Sequence, residues 1–180
     1  MILNKEDAVL VVIDIQERLS KHISGISELI QKVKKLLKVW KILDLPLLLT
    51  EQEKLGDTLE EIKEILGYEI KPIRKKSFSC MKEEKFVEEL KRLKPRKVVL
   101  VGIEAHICVL QTALDLVKEG YEVHVVIDAI GSRNDVDKKV AVDKMLILGI
   151  IPTTVEIVIY ELLKTSTDEK FKEVLKVVKD

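Results

Sequence analysis

The amino-acid sequence predicts a three-layer α/β/α protein with a six-stranded, mainly parallel sheet and helices on both faces. Two observations support this prediction. Short runs of Val, Ile and Leu without polar alternation are typical of strands buried on both faces, and segments of helical period separate these runs. Alternating strands and helices imply right-handed crossovers between parallel strands. The common strand order for such sheets is 3-2-1-4-5-6.

Four strands have a strong signal and two have a weaker one. The strong runs are AVLVVID (8–14), PLLLT (46–50), KVVLVG (97–102) and EVHVVID (122–128). The weaker runs are EIKPI (69–73) and IPTTVE (151–156). The strong runs lack charged residues in their interiors, so we expect helices to cover both of their faces.

Helical segments lie between these strands. The segment 26–44 places Ile, Leu, Val and Trp side chains on one face and lysines on the other, so it should pack on the sheet. Further helices are predicted at 83–93, 106–120, 135–149 and 156–163, with a charged one from Thr167. Gly120 and Gly149 end two of them, as glycine often does.

Length and composition favour one domain that spans residues 1–180 and lacks an evident linker. The 31 basic residues balance 31 acidic ones, so a nucleic-acid or anionic-membrane partner is not expected. The apolar runs fall far short of the roughly 20 residues that a membrane helix needs, and no signal peptide is evident. Two cysteines without a CxxC spacing favour a reducing cytoplasm over a disulfide framework.

Candidate chemistry lies where the first and fourth strands end side by side. With the predicted order, Asp14 at the end of strand 1 meets the loop GIEAHIC (102–108) at the point where the strand order reverses. Cys108 begins a predicted helix, where free N–H groups and the helix dipole lower a thiol pKa. Asp14 could instead cap a turn, and Cys108 could simply pack under its helix. Cys80 lacks such a position and is interpreted as structural.

Four segments of the chain carry a family resemblance. They read VVIDIQERL, KKSFS, VGIEAHICVLQTALDLVKEGYEVHVVIDAIGSR and TTVE, in this order. In this combination the chain resembles the isochorismatase-like cysteine hydrolases, in particular their branch without defined substrates. The resemblance extends from about Ala8 to about Leu162, and it implies the same six-stranded parallel sheet.

The resemblance also implies a catalytic set of Asp14, Lys75 and Cys108. Lys75 precedes the aromatic residue of the K-x-x-[FY]-S motif by three, so it is preferred to Lys76. Lys75 would favour the thiolate, and Asp14 would accept the thiol proton and later pass it to the leaving group. Backbone N–H groups of Cys108 and Glu104 would hold the oxyanion.

Further site features follow from the same resemblance. The peptide bond between Ile103 and Glu104 would be cis. The expected substrate contacts are Leu19, Phe78, Ile103 and His106. Leu19 and Phe78 could instead be core residues, which is the commoner role of apolar side chains. His106 could line the pocket or only support the loop. Thr154 resembles a helix cap.

The function expected from these residues is hydrolysis of a C–N bond in a small amide or carbamoyl-like compound through a thioester. Two alternatives remain open: hydrolysis of a vinyl ether, and an inactive binding or assembly protein of the same fold. No cofactor is expected. No metal is expected either, because the stretch TEQEKLGDTLEE (50–61) has no histidine and the three histidines of the chain lack ligand spacing. Related proteins form dimers or tetramers, so a homo-oligomer is expected.

Overall fold

The sheet has six strands, and its order and direction are those predicted from the sequence. A computed structural model describes residues 2–179. The strands are β1 (Ala8–Ile13), β2 (Leu47–Gln52), β3 (Ile73–Lys75), β4 (Lys97–Ile103), β5 (Glu122–Gly131) and β6 (Ile151–Thr153). They pair in parallel in the order β3-β2-β1-β4-β5-β6. The predicted α/β fold is therefore confirmed.

Eight α-helices connect or follow these strands in the described part of the chain. They are α1 (Glu17–Ser20), α2 (Ile26–Ile42), α3 (Glu60–Leu66), α4 (Glu84–Leu93), α5 (Leu110–Lys118), α6 (Asp135–Ile147), α7 (Val155–Leu163) and α8 (Phe171–Lys179). A 3-10 turn spans Cys80–Lys82, and a π-helical turn spans Ala105–Val109. Helix α3 was not predicted, because its seven mostly charged residues bury only Ile62 and Leu66.

The helices form one layer on each face of the sheet. Helices α2, α3, α7 and α8 share a hydrophobic cluster on one face, whereas α4, α5 and α6 pack on the other. Alternate residues of β1 belong to different clusters: Leu10 and Val12 to the first, Val11 and Ile13 to the second. Since β1 is buried along its whole length, both of its faces need apolar side chains.

Strands β1 and β4 approach each other closely at their carboxyl ends. Ile13 lies opposite Gly102, and a Cβ added to Gly102 would lie 2.0 Å from the Ile13 carbonyl oxygen. The φ of Gly102 is 125°, a conformation that other residues rarely adopt. The glycine thus permits the approach that brings the residues after β1 and β4 together.

Three boundaries differ from the sequence prediction. Strand β3 begins at Ile73 instead of residue 69, so Lys75 is its last residue and lies at the sheet edge with the other strand ends. The predicted helix 106–120 begins with the π-helical turn, and only α5 is regular. Strand β6 ends at Thr153, because Thr154 caps α7 by accepting a hydrogen bond from the Ile157 N–H at 3.3 Å. None of the helices within residues 2–179 has the length and apolar character needed to span a bilayer.

Candidate active site

Asp14 leaves β1 in a left-handed backbone conformation, with φ of 51°. Aspartate tolerates this region better than most residues, and the turn directs a fully buried carboxylate into the edge of the sheet. The Thr50 hydroxyl donates a hydrogen bond to Asp14 Oδ1 at 2.8 Å. Gln16, two residues later, fastens this turn to β2 by accepting from the Gln52 N–H and donating to the Gln52 carbonyl. The end of β2 therefore fixes the position of the carboxylate.

Lys75 reaches the same point from β3 and is also buried. Its Nζ forms an ion pair with Asp14 Oδ2 at 2.8 Å. The same ammonium donates to Gln52 Oε1 at 2.7 Å and to the carbonyl oxygens of Phe78 and Ser77 at 3.0 and 3.1 Å. A buried charge is tolerated only when it is paired and hydrogen bonded. These oxygens hold the ammonium in one place.

Cys108 lies in the π-helical turn that follows β4, and its Sγ is 3.4 Å from Lys75 Nζ. The Asp14 carboxylate pairs with the same ammonium at 2.8 Å. The Lys75 ammonium thus contacts both Asp14 and Cys108, which are 94 positions apart in the chain. The structure brings together all three members of the expected catalytic set.

Burial and charge shift the pKa of each of these groups. Burial raises the pKa of Asp14, although Lys75 and Thr50 oppose the shift. The pKa of Lys75 is raised. Burial alone would lower it, but the charges of Asp14, Cys108 and Cys80 outweigh the effect of burial. Burial and Asp14 raise the pKa of Cys108 to about 12, against the opposing effect of Lys75.

The resting state of Cys108 therefore differs from the expectation that a helix start lowers its pKa. That expectation was wrong because the thiol is buried in a π-helical turn next to a carboxylate. A neutral thiol with a neighbouring carboxylate is an arrangement for proton transfer at the moment of attack. The Cys108–Asp14 pair is suited to that transfer.

Glu104 and His106 form a second polar group beside Cys108. The peptide bond between Ile103 and Glu104 is cis, as the family resemblance implies. The buried Glu104 carboxylate accepts from the Arg133 N–H at 2.9 Å and pairs with the Arg133 side chain at 3.1 Å. His106 Nδ1 lies 2.9 Å from Ser132 Oγ. These contacts fasten the turn that carries Cys108 to the residues that follow β5.

The four expected substrate contacts occupy different surroundings. Phe78 is 54% exposed, and its carbonyl oxygen faces Lys75. His106 is partly exposed beside Glu104. Ile103 is fully buried and Leu19 partly buried in the hydrophobic cluster on the α2 face, whereas Cys108 belongs to the cluster on the other face. The side chains of Ile103 and Leu19 thus contribute to packing, and their contact with substrate stays a prediction.

Sequence reasoning missed the residues that hold this set in place. Thr50 and Gln52 bind Asp14 and Lys75, but strand β2 was expected to end at Thr50 and neither side chain was assigned a role. Cys80 lies behind Thr50, with 4.0 Å between Sγ and Oγ1. Burial raises the pKa of Cys80 to about 12. The sequence did contain a signal for these roles, because polar residues at the end of β2 lie next to Asp14 in the predicted strand order.

Across residues 2–179, no three His, Cys, Asp or Glu side chains are grouped so that they could hold a metal ion. The Asp14 carboxylate is instead neutralised by the Lys75 ammonium. The charge balance of this site therefore comes from the chain itself.

Comparisons with known proteins show which family the chain belongs to. The family model described as the isochorismatase domain matches residues 8–157. The mouse isochorismatase domain-containing protein 2A is 37% identical over 179 residues, which cover 97% of this chain and 84% of the mouse protein.

Two solved structures are similar over nearly the whole chain. One, named MAR1 ribonuclease from Caenorhabditis elegans, has 38% identity and a TM-score of 0.94, and the match covers 100% of this chain and 93% of that one. The YcaC protein of Escherichia coli, described as an octameric hydrolase of unknown specificity, has 26% identity and a TM-score of 0.89, with 96% and 86% covered. By sequence and fold, the chain belongs to the isochorismatase domain family, which is consistent with a hydrolase.

Proposed function

We propose that the protein is a cysteine hydrolase that cleaves a C–N bond of a small amide or carbamoyl-like compound. The observation that supports this proposal most strongly is the buried contact between a thiol, a carboxylate and an ammonium at the carboxyl edge of the sheet. A nucleophile next to its base, with a third group orienting that base, is the general arrangement for covalent catalysis. Here Cys108 is the nucleophile, Asp14 the base and Lys75 the orienting cation.

The first half of the cycle forms a thioester. Asp14 takes the thiol proton while Sγ of Cys108 attacks the carbonyl carbon, and the C=O electron pair moves onto oxygen. The N–H groups of Glu104 and Cys108 are the proposed donors to this oxyanion. When the tetrahedral intermediate collapses, the C–N bond breaks and the amine leaves with the proton from Asp14.

The second half regenerates the enzyme. Asp14 removes a proton from water, the resulting hydroxide attacks the thioester carbon, and the C–S bond breaks. The thiolate of Cys108 then takes back the proton from Asp14. Because burial raises the pKa of Asp14, this carboxylate is a stronger base than an exposed one. Lys75 keeps its positive charge throughout and prevents two negative charges from facing each other unpaired.

The proposed substrate is small, since Cys108 is almost fully buried in the protomer. Phe78 and His106 are the proposed contacts with exposed surface, and Leu19 and Ile103 are proposed to support the pocket from the core side. The cycle uses only side chains and water, so no cofactor is required. We also propose that the enzyme acts in the cytoplasm, where both of its free thiols would stay reduced.

A panel of small amides and carbamoyl compounds, assayed for ammonia release, tests the proposed reaction. We expect at least one compound to be hydrolysed by the wild type, with a rate reduced at least about 10³-fold in Cys108→Ala. Cys80→Ala is the matched control, because it removes the other buried thiol and should retain turnover. Ammonia release that survives in Cys108→Ala would refute the thiol mechanism.

The same samples distinguish the other candidate functions. The C. elegans neighbour is named a ribonuclease, so a labelled RNA belongs in the panel, as does isochorismate for vinyl-ether cleavage. We favour the amide, because a thiol with a carboxylate base suits acyl transfer, and the balanced net charge offers no general attraction to RNA. RNA cleavage without ammonia release, pyruvate release from isochorismate, or no turnover of any compound would each contradict the amidase proposal.

Self-association is part of the proposal. The E. coli neighbour is described as octameric, and its match covers 96% of this chain. We propose that this protein also forms a homo-oligomer. Its molar mass in solution, measured by light scattering, should be a multiple of the 20.6 kDa chain. A mass of one chain would contradict this part of the proposal.

A further inference from the structure

Helix α6 carries apolar residues on its outer face, where a helix that covers a sheet is ordinarily polar. Its inner face is provided by Ala141 and Met145, which are buried in the core. On the outer face, Val136, Val140 and Ile147 are 72%, 52% and 83% exposed. Clustered apolar side chains with this much exposure are typical of an interaction surface.

These three side chains form one stripe. At 3.6 residues per turn, positions 136, 140 and 147 lie within about 40° of one another around the helix axis. Asp143 falls within the same stripe, and Lys139 lies beside it. Across residues 2–179, neither Asp143 nor Lys139 has an ion pair within 4.0 Å. The stripe therefore combines apolar contacts with two opposite charges that are still available to a partner.

We infer that this stripe binds the same stripe of a second copy of the chain, with the two α6 helices antiparallel. A twofold axis passes between positions 141 and 142 in this arrangement. Residue 136 is then at the same height along the helix axis as residue 147 of the partner subunit, and residue 140 is at the same height as residue 143 of the partner subunit. Val136 then meets Ile147 of the partner subunit, and the two Val140 side chains meet near the axis.

The charges match in the same arrangement. Lys139 lies about one residue rise, roughly 1.5 Å along the axis, from Asp143 of the partner subunit and on the same side of the helix pair. The symmetry produces this ion pair twice. The two Asp143 side chains are also about 4.5 Å apart along the axis, and each lies beside Lys139 of the partner subunit, which offsets the repulsion between them. Two Lys139–Asp143 pairs in one symmetric contact favour a second copy over an unrelated partner, because isologous contacts require one patch to fit itself.

The inference rests on proposed self-association and not on the proposed reaction, and its test needs no substrate. Molar mass is measured by sedimentation velocity for the wild type, Val140→Asp and Ile157→Asp. Val140→Asp introduces a charge at the centre of the stripe and should at least halve the wild-type mass at micromolar concentration. Ile157→Asp makes the same change at a residue of α7 that is 49% exposed and should leave the mass unchanged. Melting curves verify that all three proteins are folded.

The ion pair is tested by exchanging its charges. Lys139→Asp and Asp143→Lys should each weaken association at least tenfold, because each places like charges together. The double variant Lys139→Asp/Asp143→Lys restores an opposite pair and should recover most of the wild-type association. A structural effect of the single substitutions would not be reversed in this way.

A crosslinking pair tests the direction of the helices. In the antiparallel arrangement the two copies of residue 140 are about 4.5 Å apart along the axis, whereas the two copies of residue 136 are about 16 Å apart. A short bismaleimide should therefore crosslink Val140→Cys to a dimer and leave Val136→Cys uncrosslinked. Cys80 and Cys108 are buried, so the wild type measures the background.

Four results would overturn the inference. They are a monomeric wild type, an unchanged mass for Val140→Asp, no recovery in the charge-exchanged double variant, and crosslinking of Val136→Cys as readily as Val140→Cys. None of them bears on ammonia release. Failure of the α6 interface and failure of the amidase proposal are therefore separate outcomes.

Discussion

The buried ion pair of Lys75 and Asp14 allows one prediction to be worked out in energy. Lys75→Met removes the cation but retains most of the side-chain volume. It leaves the Asp14 carboxylate buried without a counter-charge, and it also leaves three oxygens without the ammonium that they hold. Breaking a buried pair by removing one partner costs about 3–5 kcal/mol. We expect about 4 kcal/mol, or a melting temperature lowered by about 8–16 °C for a chain of this size.

The loss should depend on pH with a definite sign. The folded state raises the pKa of Lys75. The charged lysine therefore contributes fully to the free energy of unfolding below pH 10.5, the ordinary pKa of lysine. This contribution is lost as the pH rises through the folded-state pKa. In Lys75→Met, burial raises the pKa of Asp14 without opposition from the lysine, so the carboxylate form is unfavourable above its ordinary value of 3.8. The difference from wild type should therefore shrink as pH falls through that raised pKa.

Urea unfolding at pH 8, 6 and 4.5 measures this difference, and Asp14→Asn supplies the control. Asparagine tolerates the left-handed conformation of residue 14. Lys75 would lose its counter-charge but keep its three oxygen acceptors, so this variant should lose about 3 kcal/mol, less than Lys75→Met. The double variant should lose less than the sum by at least about 1.5 kcal/mol. A cost below about 1 kcal/mol for Lys75→Met, or additive costs in the double variant, would refute the reasoning.

Two further predictions concern the thiol and the strand junction. The charge of Asp14 adds to burial in raising the pKa of Cys108. Asp14→Asn should therefore shift the pH profile of iodoacetamide alkylation at Cys108 to lower pH and increase the alkylation rate at pH 8.5. An unchanged profile would show that the two groups are not coupled. Gly102→Ala should destabilise the fold by at least about 4 kcal/mol, because a Cβ at Gly102 would meet the Ile13 carbonyl at 2.0 Å. Gly120→Ala should cost about 1 kcal/mol, because a Cβ at Gly120 would meet nothing within 4 Å. Equal unfolding midpoints in urea would contradict this.

Some features of the site followed from sequence patterns. The uninterrupted apolar runs predicted four of the six strands, and the strand order predicted that Asp14 and the loop before Cys108 would meet. Their contact depends on parallel strands that end at the same edge, a property of the fold class and not of particular side chains. Lys75 was assigned from a family motif alone, because a lysine within a charged stretch has no periodic signal.

Other features depend on contacts that no local pattern encodes. Strand β3 has three residues and is defined by pairing with β2, so its predicted start was four residues too early and its predicted end two residues too early. The interaction of His106 with Ser132 joins loops that are 26 residues apart. The pKa of Cys108 was expected to fall, because position at a helix start is visible in the sequence whereas the burial of the thiol, which raises its pKa, is not.

The central claim is that Cys108 becomes acylated during turnover. The most direct measurement is an acid quench of the enzyme during hydrolysis of an amide from the panel, followed by peptide mass spectrometry. We predict an acyl group on the peptide that contains Cys108, none on the peptide that contains Cys80, and neither acylation nor ammonia release in Asp14→Asn. Steady ammonia release with an unmodified Cys108 peptide, under conditions that preserve a thioester standard, would contradict the claim.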